Sequence, residues 1–161
     1  PVAPPEEELE RAFHIVSTWW EEILTMQVFV DALNDRAAMQ ERRSNPKHRW
    51  CMLLRPVGQV AMVDGVIQAM SNSDGRLTRT DALRKVGQVD WSCHDPENYW
   101  HGTIITKAGR MVARKKERDL AARLLAWLIG SEYMSKDEIQ KLKTDWNEPR
   151  KSSENLPSPI V

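Results

Sequence analysis

The sequence predicts a mainly α-helical fold: a bundle of about five helices, with a short β-hairpin or strand–turn element near 103–112. Three observations point there. Apolar residues recur at i, i+3 and i+4 along most of the chain, helix start and stop signals bracket those stretches, and only one segment lacks the helical period. At 161 residues with 41% hydrophobic content, the chain can bury one core without a disulfide framework.

Pro4 and Pro5 followed by Glu6, Glu7, Glu8 and Glu10 favour a helix start, because proline suits a first turn and early carboxylates oppose the positive end of the helix dipole. Leu9, Phe13, Val16, Trp20, Ile23, Val30 and Leu33 then mark the apolar face of one long helix, bent near 25–28, with Glu10, Arg11, Glu21 and Glu22 on the solvated face. Residues 34–49 are polar and basic and read as a loop or a frayed helix end. The run from Trp50 to Leu54 is a strand or the lead-in to a helix, and periodicity does not separate the two.

Pro56 opens a second helix along Val60, Val63, Ile67 and Met70, which Asn72-Ser73-Asp74-Gly75 terminates. A short helix follows, capped by Thr80 or Asp81, packed through Leu83 and Val86, with Gly87 as its left-handed C-terminal residue. The segment 90–111 reads as loop, short strand and turn. Leu120, Leu124, Trp127 and Leu128 define a helix ended by Gly130, and Ser135 with Glu138 is a capping box for a last helix through Ile139, Leu142 and Trp146. Residues 1–146 are therefore expected to form a single helical domain, complete in itself or the C-terminal domain of a longer protein, and 147–161 a flexible tail.

Composition narrows the function classes. Lys+Arg and Asp+Glu both number 23, so the whole molecule has no positive field to draw it onto DNA, and any nucleic-acid contact must be local. No apolar run approaches the length a bilayer needs, and no secretory signal opens the chain, so a cytoplasmic protein without a membrane partner is expected. Cys51 and Cys93 belong to no ligand cluster. His94, Asp95 and His101 lack the spacing of a zinc site, and the glycines form no phosphate-cradling loop. No catalytic residue, metal or cofactor is assigned, and no catalysis is expected from this chain alone.

Two features carry the binding expectation. Lys107, Arg110, Arg114, Lys115, Lys116 and Arg118 crowd around a helix N-terminus, where cations oppose the dipole; serving a phosphate would explain them, and a solvated charged face is the plainer alternative. Trp91 and Trp100 lie among polar residues, where they either offer a base a stacking platform or brace the loop. Trp20, Trp127 and Trp146 read as core. A second class of function is a helical protein-interaction or oligomerisation module, with Trp19 or Trp100 as its anchor.

Leu53-Leu54-Arg55-Pro56-Val57-Gly58-Gln59, then Val89-Asp90-Trp91-Ser92, Trp100-His101-Gly102-Thr103 and Gly109-Arg110-Met111, resemble in order and spacing the C-terminal region of DGQHR-domain proteins, among them the DndB-like proteins of DNA phosphorothioation systems. The Asp-Gly-Gln-His-Arg motif itself is absent, which fits a C-terminal helical region or a divergent short relative. Cys93-His94 also departs from the family pattern. The resemblance implies a DNA-associated accessory or regulatory protein of a DNA-modification or phage-defence system, with DNA, other modification proteins or a second copy as partners. Relatives in base-modification systems are linked to nucleotide hydrolysis, so a further alternative is that the chain is part of a ParB-like nucleotide-hydrolysing protein.

Overall fold

The computed structural model describes residues 4–37, 39–40, 51–93, 95–106 and 108–161. Among them the chain forms α1 (Glu6–Ile23), α2 (Gln27–Asn34), α3 (Pro56–Asn72), α4 (Arg79–Val86), α5 (Lys115–Gly130) and α6 (Lys136–Arg150), with short 3-10 turns at Met52–Leu54 and Ser131–Tyr133. The fold is mainly helical, as the periodicity predicts. Only isolated β-bridges occur among the described residues, at Cys51↔Ser92, His101↔Ile105 and Ile105↔Met111.

The packing of α3 on α5 organises the core. Gly65 makes it possible: a Cβ there would stand 2.8 Å from Leu125 Cβ and 2.9 Å from the Ala122 carbonyl oxygen, so the two helices approach at backbone distance. Ala61, Met62, Val66 and Ala69 of α3 meet a core that includes Leu124, Leu125, Leu128 and Ile129 of α5, all buried. On α6, Leu142 and Trp146 close the other side.

Helix boundaries follow the local chemistry. Pro56 occupies the first turn of α3, where its missing N–H costs nothing, and holds Arg55 extended. The α3 exit is built by Ser73, whose hydroxyl donates to Met70 O at 2.7 Å and accepts from Leu77 N at 2.9 Å. Asp74 and Gly75 then take positive φ values. The α4 cap is Thr78, two residues before Thr80 and three before Asp81, because its hydroxyl oxygen is the one within reach of the Asp81 N–H. Gly87 is right-handed rather than left-handed at the α4 end, with φ −63°. The Ser135–Glu138 capping box is present in both directions.

Three expectations change. The long first helix is two helices broken at 24–26. Its apolar stripe does not face the core: every residue from Pro4 to Val16 is exposed, and among the described residues α1 is anchored through its C-terminal part, where Ile23 is buried and Trp19 lies under the Arg79 guanidinium. Trp20, expected in the core, is exposed, and Trp19 and Trp100, expected as partner anchors, are half-buried and fully buried. Finally, α6 runs past Trp146 to Arg150, and the segment expected as a free tail lies against the domain: Trp127 Nε1 donates to Pro157 O at 2.8 Å and the Ile160 N–H to Leu128 O at 2.7 Å.

Candidate nucleic-acid interface

The indole-bearing loop, 90–102, is an internal brace. Trp91 and Trp100 stack on each other with centroids 4.9 Å apart and planes 13° from parallel. Their exposures are 6% and 0%, so neither offers a free face to a base, and the stacking-platform expectation is overturned in favour of bracing. Both N–H groups are spent on backbone carbonyls, Trp91 on Val86 O at 3.0 Å and Trp100 on Asp90 O at 2.7 Å. The physical reason is that burying a large ring offsets the cost of ordering a loop rich in polar residues, provided each polar edge finds a partner.

Those partners are supplied locally. Asn98, itself buried, donates from Nδ2 to Asp90 and Ser92 and accepts from the Trp100 N–H. The Tyr99 hydroxyl donates to Asp90 O, and burial pushes this phenol above its ordinary range. From α6, Trp146 Nε1 donates to Tyr99 O at 3.0 Å and Arg150 to His101 O at 2.9 Å. His101 is buried with Nε2 3.2 Å from Cys93 O, so its ring serves the loop rather than a metal or a reacting atom. His94 lies outside the described residues. Among the described residues no group of three His, Cys, Asp or Glu side chains could hold a metal ion.

Local contacts likewise hold the stretch from Leu53 to Gln59. Gly58 sits where a Cβ would overlap the Met52 carbonyl oxygen, and Gln59 Nε2 donates to Leu53 O at 3.0 Å. Together with Pro56, these residues lock the 3-10 turn onto the first turn of α3.

The basic run stands apart from the indoles. Thr106 N donates to Arg110 O at 2.8 Å and Val112 N to Ile104 O at 2.9 Å, so a tight turn resting on buried Ile104 and Ile105 carries Arg110 into solvent. Arg114 is the N-cap of α5 and has no acceptor to offer, so no side chain caps the first-turn N–H groups. Arg110, Arg114, Lys115 and Lys116 are exposed and Arg118 is half-buried; Lys107 lies outside the described residues, as does the basic stretch 42–49.

Two of these cations have carboxylate partners: Lys115 meets Asp119 at 2.6 Å, and Lys116 meets Glu148 at 3.4 Å. All four side chains are more than half exposed, so each pair contributes at most about 1 kcal/mol and yields readily to a competing anion. Beside them runs a groove of about 720 Å3 between α3, α5 and α6. Its walls mix Lys115, Lys116, Arg123 and Lys141 with Asp64, Asp119 and Asp145, and Arg123 is paired with Asp145 at 2.8 Å. Arg110 and Arg114 are exposed and are not among the residues that line this groove.

The pairing of Lys115 with Asp119 was available from sequence as an i, i+4 spacing, whereas Glu148 comes from another helix and left no local signal. No helix among the described residues is long and apolar enough to cross a membrane. No family model matches the chain, no curated protein matches it, and no solved structure matches it.

Proposed function

We propose that this chain is a cytoplasmic, DNA-associated accessory or regulatory protein of a DNA-modification or phage-defence system, related to the DndB-like proteins, and that it holds the phosphate backbone through a local basic rim. The observation that carries this reading is the exposure of Arg114, Lys115 and Lys116 at the start of α5, where the Arg114 side chain makes no capping hydrogen bond, with Arg110 exposed on the turn just before it in the chain. Cations at that end of a helix oppose its dipole, and a phosphate relieves the conflict by accepting from the backbone N–H groups and the guanidinium groups together. Arg118 continues the basic run along α5, and Lys107, which lies outside the described residues, belongs to that run in sequence. Trp91 and Trp100 act indirectly, holding the loop from which the turn departs. Phosphate contacts of this kind position a protein on a duplex without reading its sequence.

Fluorescence anisotropy with a labelled duplex at about 50 and about 200 mM salt tests the reading, since every neutralised phosphate releases counterion. Wild type is expected to bind at low salt and to lose affinity steeply at high salt. An Arg110→Glu/Arg114→Glu variant should bind weakly at both. Equal, negligible binding of both proteins at low salt would remove the proposal.

A further inference from the structure

Away from the basic run, α1 presents an exposed apolar stripe that no other described element covers. Leu9, Phe13, Val16, Trp20 and Leu24 follow one another at three- and four-residue steps, so they share one face of the helix and its C-terminal extension, and all five are exposed. Phe13 is 73% exposed and Val16 53%. At 1.5 Å per residue the stripe is about 22 Å long. Glu6, Glu10 and Glu21 recur at near-integral turns along one edge of it. The helix as a whole carries six glutamates against one arginine, and only Glu22 is engaged by a described cation, Arg79.

We infer that this face is a docking site for a basic amphipathic helix of another protein, which would lay its apolar side on Leu9, Phe13, Val16 and Trp20 and its Lys or Arg residues along Glu6, Glu10 and Glu21. The inference does not depend on DNA binding. Most helical stability in proteins comes from packing of an amphipathic face; among the described residues the first three turns of α1 have no such packing, and a partner helix would supply it.

The charges decide who the partner is. Two copies of α1 side by side in parallel would set Glu6, Glu7, Glu8 and Glu10 against themselves. In antiparallel pairing the same residues would meet Glu21 and Glu22. Like charges are juxtaposed in both directions, which works against a second copy of this chain. The stripe also buries on the order of a few hundred Å2, short of the roughly 800 Å2 per partner of a stable complex, so the apolar contact needs complementary charge to hold. DNA is excluded from this face by the same carboxylates.

The test uses the full chain and two synthetic peptides of about 18 residues, long enough to span the stripe. Both carry the same leucine stripe; one has lysine and the other glutamate on its polar face. Isothermal calorimetry is expected to show binding of the Leu/Lys peptide at least about tenfold tighter than of the Leu/Glu peptide. Phe13→Ser/Trp20→Ser should weaken it by a similar factor, and Glu6→Lys/Glu10→Lys/Glu21→Lys should reverse the preference, with circular dichroism unchanged for both variants. Equal binding of the two peptides, or a preference that survives charge reversal, would overturn the inference. So would sedimentation that shows a dimer abolished by Phe13→Ser, because a second copy would then be the occupant.

Discussion

Trp91 and Trp100 lie face to face, and each indole N–H is donated to a backbone carbonyl, Val86 O and Asp90 O respectively. Asp90 O accepts from both the Trp100 indole and the Tyr99 hydroxyl, so one backbone oxygen ties two aromatic side chains to the start of the loop. The pair is thus a structural joint between the exit of α4 and the turn that carries Arg110. Trp100→Ala should lower unfolding stability in urea by about 3–5 kcal/mol, through lost apolar burial and the cavity left behind. Trp91→Phe keeps an aromatic ring in the stack but leaves Val86 O with only the longer hydrogen bond from the Val89 N–H, for a loss of about 1 kcal/mol. The folded Trp91→Phe protein should bind a DNA duplex as wild type does, because the ring that changes is out of solvent; a selective loss of DNA affinity would return the indole to the interface.

Gly58 tests whether the Arg-Pro-Val-Gly-Gln stretch is structural. A methyl group there collides with the Met52 carbonyl, which the 3-10 turn holds in place, so relief requires backbone movement. Gly58→Ala should cost about 2–3 kcal/mol in spite of the better helix propensity of alanine. Gly75→Ala serves as the contrast, since its Cβ would meet nothing and only the positive φ of 80° is unfavourable; about 1 kcal/mol is expected there.

How far the sequence could be read depended on whether the deciding partner was near in the chain. The caps at Pro56, the Asn72–Gly75 stop and the Ser135–Glu138 box are all set within a few residues, and each appears where the pattern placed it. Tertiary choices were less legible. The stripe of Leu9, Phe13 and Val16 has the period of a buried face, and periodicity records amphipathicity without saying what covers it. Trp19 and Trp20 are neighbours with opposite fates because Arg79, far along the chain, covers one and not the other. The polar residues around Trp91 and Trp100 suggested an open loop, yet Asn98, Asp90 and Arg150 are there to satisfy one another inside it. The basic rim was readable as composition; its pairing with Glu148 was not.

The two cysteines should differ in reactivity. Burial is the main influence on Cys93 and pushes its thiol up to about 11, against a smaller opposing effect of the Arg55 charge. Two pH units above an ordinary thiol mean about a hundredfold less thiolate at neutral pH, and thiolate is the reactive form. Cys51 is half-buried and neither residue forms a disulfide. Iodoacetamide at neutral pH, followed by peptide mass analysis, should label Cys51 first and Cys93 only on unfolding; rapid native labelling of Cys93 would show that the loop opens.

The Glu22–Arg79 pair joins α1 to α4 and gives stability a pH dependence. The hydrogen bond from Arg79, reinforced by its charge, lowers the Glu22 carboxyl below its ordinary 4.5, although burial acts the other way. As pH falls, the unfolded chain therefore takes up the proton first. The contribution of the pair is fully present above about 4.5 and is lost as pH drops through the lower folded value. With both side chains about a quarter exposed, it amounts to about 0.5–1 kcal/mol. Thermal melts from neutral pH to about pH 3 should show a smaller acid-side decline in Tm for Glu22→Gln than for wild type. Glu138, lowered by the Ser135 hydroxyl and N–H, retains its own share of that decline in the variant.

The last residues of the chain give the clearest test of the packing, because the sequence and the structure assign them different roles. Asn147, buried on α6, donates to Lys143 O of its own helix and to Glu154 O and accepts from the Ser152 hydroxyl and the Glu154 N–H, so its side chain binds the returning segment at three points. Further on, Pro157 O covers the Trp127 indole N–H, and Leu156 and Ile160 pack on the core. A chain ending at Lys151 leaves the Asn147 carbonyl oxygen and the Trp127 N–H without protein partners and uncovers apolar surface on α5. The loss should be about 2–4 kcal/mol, read as a lower urea midpoint, with Trp127 emission shifted to the red by water. A tail that merely trails from Trp146 would leave both the midpoint and the emission maximum where they are in the full-length protein, and that result would detach 152–161 from the fold.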